Sequence, residues 1–276
     1  MCLIAFAWQA HAEYPLIVAA NRDEFFARPT ASAGWWDDRE RLAGRDLRAG
    51  GTWMGVSKGG RFAALTNYRD PSAQRSDAPS RGALVSDVLD HRGPIRDALE
   101  RVSRDASRYN GFNLLAALWH PDASRAAMWI LASRDDARPQ AIAPGIHALS
   151  NASLDTPWPK VDRAARAMLD ALRRDVKAAT AAVLNAATDR DVLCARLFAL
   201  LGNQDIADDD DLPQTGIAPD AERALSAAFI RMPNYGTRSS TVFLIDRQGD
   251  ALFIERRCEP DAPIEERRFE FHVADA

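Results

Sequence analysis

The first eight residues, Met1-Cys2-Leu3-Ile4-Ala5-Phe6-Ala7-Trp8, are an apolar run broken by no charge, and they read as a β-strand with a cysteine one residue from its start. A second strand, Leu16-Ile17-Val18-Ala19-Ala20, runs straight into Asn21-Arg22-Asp23-Glu24. Phe25 to Arg48 reads as a loop-like region holding Arg28-Pro29 and the pair Trp35-Trp36. A hairpin follows, with Thr52 to Ser57 as one arm, Lys58-Gly59-Gly60 as the turn and Arg61 to Asn67 as the other arm. Four strands are therefore expected before the first helix.

Beyond Ser80, a plausible N-cap, the apolar positions change to helical spacing. Leu84, Val85, Val88 and Leu89 make one face up to Gly93-Pro94, and Ile95, Leu99 and Val102 make the next. Strand patterns return at Phe112 to Trp119, Ala127 to Ala132, Gln140 to Ala143 and Ile146 to Asn151. An alanine-rich stretch then places Val161, Ala165, Met168 and Leu172 on one helical face. A further helix beginning near Thr188-Asp189 carries Leu193, Leu197, Leu200 and Leu201 and stops at Gly202. Strands close the chain at Ser240 to Asp246, Ala251 to Arg256 and Arg268 to Val273, the last alternating Phe269, Phe271 and Val273 with polar residues.

Hairpin-linked strands split by helix pairs do not suit a doubly wound parallel sheet, which needs strict alternation of strand and helix. They suit an α+β fold of two mostly antiparallel sheets packed face to face, with helix pairs outside. No repeat or linker divides residues 1–276, so one domain is expected.

Composition narrows the function classes. A hydrophobic fraction of 47% supplies a core, and a net charge of −4 argues against nucleic-acid binding. Cys2, Cys194 and Cys258 have neither metal nor redox spacing, and the odd number suits a reducing cytoplasm. No secretory signal and no membrane-length apolar run is evident. The five histidines show no ligand spacing, and the Asp208 to Asp211 run reads as solvated, so no metal site is expected.

The chemistry concentrates at strand ends. Removal of Met1 leaves Cys2 with a thiol and a free α-amine on one carbon, a nucleophile carrying its own base. The reference pKa of such an amine, about 8, lets it accept the thiol proton near neutrality. Asn21 and Asp23, two apart, share a face while Arg22 points the other way. Asn67 and Asn151 end two further strands. Each asparagine or aspartate taken singly is an ordinary capping residue. Together with an N-terminal thiol they form a candidate acyl-transfer set.

Seven blocks stand in the order of one known family: Met1-Cys2, Asn21-Arg22-Asp23-Glu24, Gly50-Gly51-Thr52-Trp53-Met54-Gly55, Ala64-Leu65-Thr66-Asn67-Tyr68, Tyr109-Asn110-Gly111-Phe112-Asn113, Leu149-Ser150-Asn151 and Tyr235-Gly236-Thr237-Arg238. The chain resembles the NRDE family, typified by transport and Golgi organisation protein 2. That resemblance implies the four-layer αββα fold of the N-terminal nucleophile hydrolases and a link to haem mobilisation and to lipid or acyl-CoA metabolism. Met-Cys and Asn-x-Asp are also similar to cysteine hydrolases such as choloylglycine hydrolase and penicillin V acylase. Those enzymes carry an arginine directly before the asparagine, where this chain has Ala20, so Arg238 is considered as a substitute.

On this basis Cys2 is the expected nucleophile, Asp23 orients its amine, and Asn67 holds the oxyanion with Asn151 beside it. A donor in that oxyanion role contributes about 10²–10³ in rate. Asn21, Arg22, Trp35, Trp36, Tyr68, Tyr235 and Arg238 are the expected substrate-binding positions, the tryptophan pair bordering the cleft. No cofactor is required. The expected ligand is a small molecule: an acyl amide or thioester, or, in a non-catalytic carrier, an acyl or lipid group or haem bound through Cys2.

Overall fold

In the computed structural model, which describes residues 2–179, 186–260 and 262–273, the opening run becomes β1 (Cys2–Trp8), and all seven of its residues are buried. β1 lies between β2 (Leu16–Phe25) and β10 (Gly145–Leu149) in a six-stranded antiparallel sheet. The remaining strands of that sheet are β11 (Tyr235–Ile245), β12 (Asp250–Arg257) and β13 (Glu265–His272), in the order β10-β1-β2-β11-β12-β13. A second antiparallel sheet follows chain order: β3 (Thr30–Trp35), β4 (Arg41–Asp46), β5 (Met54–Ser57), β6 (Arg61–Asn67), β7 (Phe112–Leu118), β8 (Ala127–Ala132) and β9 (Pro139–Ala141).

Both faces of β1 are covered, which explains why its sequence does not alternate apolar with polar. Ile4, Phe6 and Trp8 point between the sheets, where they meet Phe62, Leu115 and Phe243. Leu3, Ala5 and Ala7 point outward against α3 (Pro159–Ala179) and α4 (Ala186–Leu201). Ala63, Leu65 and Leu114 turn the other sheet's outer face to α1 (Gly82–Asp90) and α2 (Ile95–Asp105). The layers are therefore helices, sheet, sheet, helices, as the periodicity predicted. Full burial of one side chain such as Phe6 contributes about 1.5–3 kcal/mol. No helix among the described residues is long and apolar enough to cross a membrane.

Two expectations need correction. The region from Phe25 to Arg48 is not a loop: it holds β3 and β4, so six strands precede the first helix. Their sequences, Thr-Ala-Ser-Ala-Gly-Trp and Arg-Leu-Ala-Gly-Arg-Asp, are poor in β-branched residues, and a register shift between Ala31 and Gly34 breaks the alternation. Tertiary contact, not propensity, makes them strands. β2 also continues through Asn21-Arg22-Asp23-Glu24 to Phe25, paired with β11 along the way. Asn21 is thus an interior strand residue.

α1 begins at Gly82 with little side-chain capping: the Ser80 hydroxyl accepts only a long 3.4 Å bond from the Gly82 N–H. Its start is fixed instead by close backbone contact with Gly51. A Cβ at Gly51 would sit 2.5 Å from the Gly82 carbonyl carbon and 2.7 Å from its oxygen. Gly51→Ala should therefore cost about 1–3 kcal/mol by overpacking, read as a lower urea midpoint at unchanged slope. An unchanged midpoint would show that α1 shifts without cost.

Candidate active site

Cys2 opens β1 directly opposite Arg22 on β2. Its carbonyl accepts a 3.0 Å bond from the Ser150 hydroxyl, which follows β10. The Asn151 Nδ2 donates at 2.8 Å to the Asn67 carbonyl at the end of β6. The Arg69 N–H in turn donates at 2.7 Å to the Asn151 carbonyl. Ser150-Asn151 therefore clips the two sheets together beside Cys2.

A cleft of about 490 Å³ opens at this edge, and Cys2, Arg22, Asp23 and Asn67 all line it. Its wall is polar: Arg28, Arg45, Arg48 and Arg81 stand with Glu24, Asp46 and Glu255, while Trp53 and Leu65 supply apolar surface. Arg28 pairs with Asp46 at 2.6 Å and Arg22 with Glu24 at 3.6 Å, so part of this charge is internally neutralised. Cys2 is 7% exposed. Burial is the largest influence on its thiol and pushes it up, while the Asp23 backbone N–H and the Arg22 guanidinium pull it down.

Behind Cys2, on the helix-facing side of the sheet, lies a buried ionisable cluster. The Thr237 hydroxyl donates at 2.7 Å to an Asp23 carboxylate oxygen. Burial raises the Asp23 carboxyl above its ordinary range, and the Lys160 ammonium opposes that rise. Lys160 comes from the first turn of α3, and burial lowers its ammonium to about 8. Arg69 and Glu222 form an ion pair at 2.6 Å, and the Tyr235 phenol is raised well above its usual value by burial, with Asp23 next. Glu222 lies on the short α5 (Pro219–Ala224).

The other expected residues take different places. Asn21 is wholly buried, its Nδ2 donating to the Leu201 and Ala228 carbonyls and its Oδ1 accepting from Ser240, so it ties sheet to helix and does not reach the cleft. Trp35 packs edge-on against Phe271, and Trp36 is flanked by Arg41 and Arg45. Neither borders the cleft; Trp53 is the tryptophan that does. Tyr68 anchors through its N–H to the Gly111 carbonyl, and Tyr235 packs on Phe25; they too lie off the cleft wall.

Arg238 donates to the carbonyls of Phe25, Phe26 and Arg28 and pairs with Glu259 at 2.6 Å. It holds the turn after β2 and does not stand in for the missing arginine. Arg22 is the arginine on the Cys2 side of the sheet. Lys160 escaped the sequence reading, although it lies four residues before Ala164 and eight before Met168 on the buried stripe of α3. Among the described residues no group of His, Cys, Asp and Glu is arranged to hold a metal ion.

Comparisons with known proteins agree with the sequence blocks. The profile described as Transport and Golgi organisation 2 matches residues 1–260. The Bos taurus Transport and Golgi organization protein 2 homolog is 36% identical over 271 residues, covering 93% of this chain and 92% of the relative. The Drosophila melanogaster protein is 30% identical over 272 residues, covering 92% and 91%. Among solved structures, an N-acylethanolamine-hydrolyzing acid amidase ortholog from Caenorhabditis elegans has a TM-score of 0.46 at 13% identity, with 88% of this chain and 92% of that one covered. A conjugated bile acid hydrolase from Clostridium perfringens has a TM-score of 0.47 at 6% identity, with 100% and 98% covered. With the profile spanning nearly its whole length and relatives matched end to end, the chain belongs to the Transport and Golgi organisation 2 family.

Proposed function

We propose that this protein is a cysteine hydrolase of the N-terminal nucleophile type, acting on a small acyl amide or thioester. The observation that carries the reading is the convergence of Cys2, the Asp23 backbone N–H and Asn67 on one cleft at the start of β1. After Met1 is removed, the Cys2 α-amine takes the thiol proton and the sulfur attacks the substrate carbonyl carbon. The carbonyl oxygen becomes an oxyanion, held by the Asn67 side-chain amide. The tetrahedral species collapses with loss of the amine or thiol, which receives the proton from the ammonium. Water then attacks the acyl-cysteine, gives its proton to the amine, and releases the carboxylic acid and the thiol. Throughout, Asp23 supports the ammonium form of the amine.

The N-terminus tests this directly. Protein purified without an N-terminal tag should have an intact mass lacking methionine, and iodoacetamide should modify Cys2 ahead of Cys194 and Cys258. Burial raises all three thiols, that of Cys194 to about 11, so the expected preference rests on the α-amine that only Cys2 carries beside its sulfur. Quantitative retention of Met1, with haem binding lost in Cys2→Ala, would replace the hydrolase by a haem carrier.

A further inference from the structure

Past β10 the chain folds back, and Asp155 closes the turn against the strand's outer edge. β10 is paired by β1 on one side alone. On the other side Asp155 makes the two bonds a further strand would make. Its N–H donates at 3.0 Å to the Ala148 carbonyl, and its Oδ1 accepts the Ala148 N–H at 2.8 Å. It does so from a left-handed backbone, φ 56°, which is uncommon for a residue with a side chain. Within the turn lie Ser150, bonded to the Cys2 carbonyl, and Asn151, bonded to the Asn67 carbonyl. The middle of the turn is tied separately, by Asn113 to the Ala152 carbonyl and by Ser153 to Asp135.

His147 holds the end of this turn. Its ring stacks on Phe6 of β1 at 5.3 Å, its Nδ1 lies 2.7 Å from Asp155 Oδ2, and its Nε2 lies 3.1 Å from the Ala143 carbonyl oxygen. A carboxylate and a carbonyl accept hydrogen bonds and donate none. Neutral imidazole has one N–H, so either tautomer sets a ring lone pair against an oxygen. Only the imidazolium satisfies both contacts. The Asp155 hydrogen bond raises the ring's proton affinity above the ordinary histidine value, against the lowering effect of burial. Asp155 is the charged group that acts on the ring; its other neighbours, Phe6 and the Ala143 carbonyl, carry no charge.

We propose that His147 is a positioning residue for the cleft: doubly protonated, it clamps Asp155 onto β10 and so holds Ser150 against Cys2 and Asn151 against Asn67. Because the folded protein raises the histidine value, the clamp is complete below the unfolded value of about 6.5 and is lost as pH rises through the folded one. In the hydrolase proposed above, that loss gives turnover an alkaline limb, a consequence that rests on that reading. The clamp itself is read without substrate.

The test is a pH titration of nitrogen-15-labelled protein by nuclear magnetic resonance, with amide hydrogen exchange followed over the same range. The His147 signal is identified among the five histidines by its loss in His147→Gln. Its midpoint should lie above about 6.5 and fall in Asp155→Asn. The Arg69 N–H donates to the Asn151 carbonyl, so its exchange reports the seating of Asn151. Corrected for the intrinsic effect of pH, its protection should drop roughly two- to fivefold as His147 loses its proton, the size expected of a partly exposed ion pair. That step should vanish in His147→Gln. A His147 midpoint at or below about 6.5, Arg69 protection that stays flat through the titration, or the same step in His147→Gln overturns the proposal. Should a variant not fold, the wild-type midpoint and exchange profile decide. A Cys2 that keeps Met1 would end the hydrolase reading and leave these measurements as they are.

Discussion

Cys2→Ala should abolish turnover of a small thioester or amide probe, with kcat falling by at least about 10³-fold, while probe binding changes by a factor of a few. Removal of a nucleophile that works as a unit with its base costs several orders of magnitude in comparable hydrolases. Binding should survive because the cleft wall is built by other residues, among them Arg22, Arg45, Arg81 and Trp53. Alanine is small enough for Met1 removal to continue, so the comparison isolates the sulfur. Single-turnover kinetics with a chromogenic thioester reads the chemical step, and equilibrium dialysis of the same probe reads binding. Turnover by the alanine variant within tenfold of wild type would remove Cys2 from the chemistry.

Arg69→Met should destabilise the fold by about 3 kcal/mol, the largest stability loss expected from a single side chain near the site. Arg69 and Glu222 are both buried and meet at 2.6 Å, and the guanidinium also stacks 4.9 Å from the Trp158 ring. Removing one partner of a buried ion pair leaves the other desolvated and costs about 3–5 kcal/mol, whereas an exposed pair contributes at most about 1 kcal/mol. Methionine keeps most of the volume, so the loss measures the orphaned carboxylate more than a cavity. Urea unfolding followed by tryptophan fluorescence gives the number. A loss below 1 kcal/mol would mean that Glu222 finds another partner, with Thr215 as the nearest.

Most of the architecture was legible because its strongest signals are local. β1, the β5–β6 hairpin and the apolar stripes of α1 to α4 each declare themselves within a window of about ten residues. β3 and β4 did not, since their small and charged residues become strands only by pairing with neighbours. Cys2, Asp23 and Asn67 were grouped from the sequence by residue type and by their places near strand ends, and all three line one cleft. Asn21 carries the same residue type in the same motif, yet its amide is spent on Leu201 and Ala228, far along the chain. No pattern near Asn21 could disclose those partners. Arg22, and not Arg238, lines the cleft for a similar reason: strand register, fixed by distant pairing, decides which guanidinium shares the cysteine's side.

The strand order also constrains how the protein is made. The seven-stranded sheet is contiguous in sequence, from β3 to β9, so it has all its pairing partners once residue 141 has left the ribosome. The sheet that carries Cys2 has no such convenience. β1 and β2 emerge first, but Ile4 waits for Leu149, and Asn21 waits for Ser240. β1 has β2 beside it from the outset but keeps its other edge unmet until residue 149 is made, and β2 keeps one edge open until β11 follows. Unpaired strand edges of this kind are prone to aggregate while the chain is incomplete. Cys2, although encoded second, belongs to a sheet that closes only with β13.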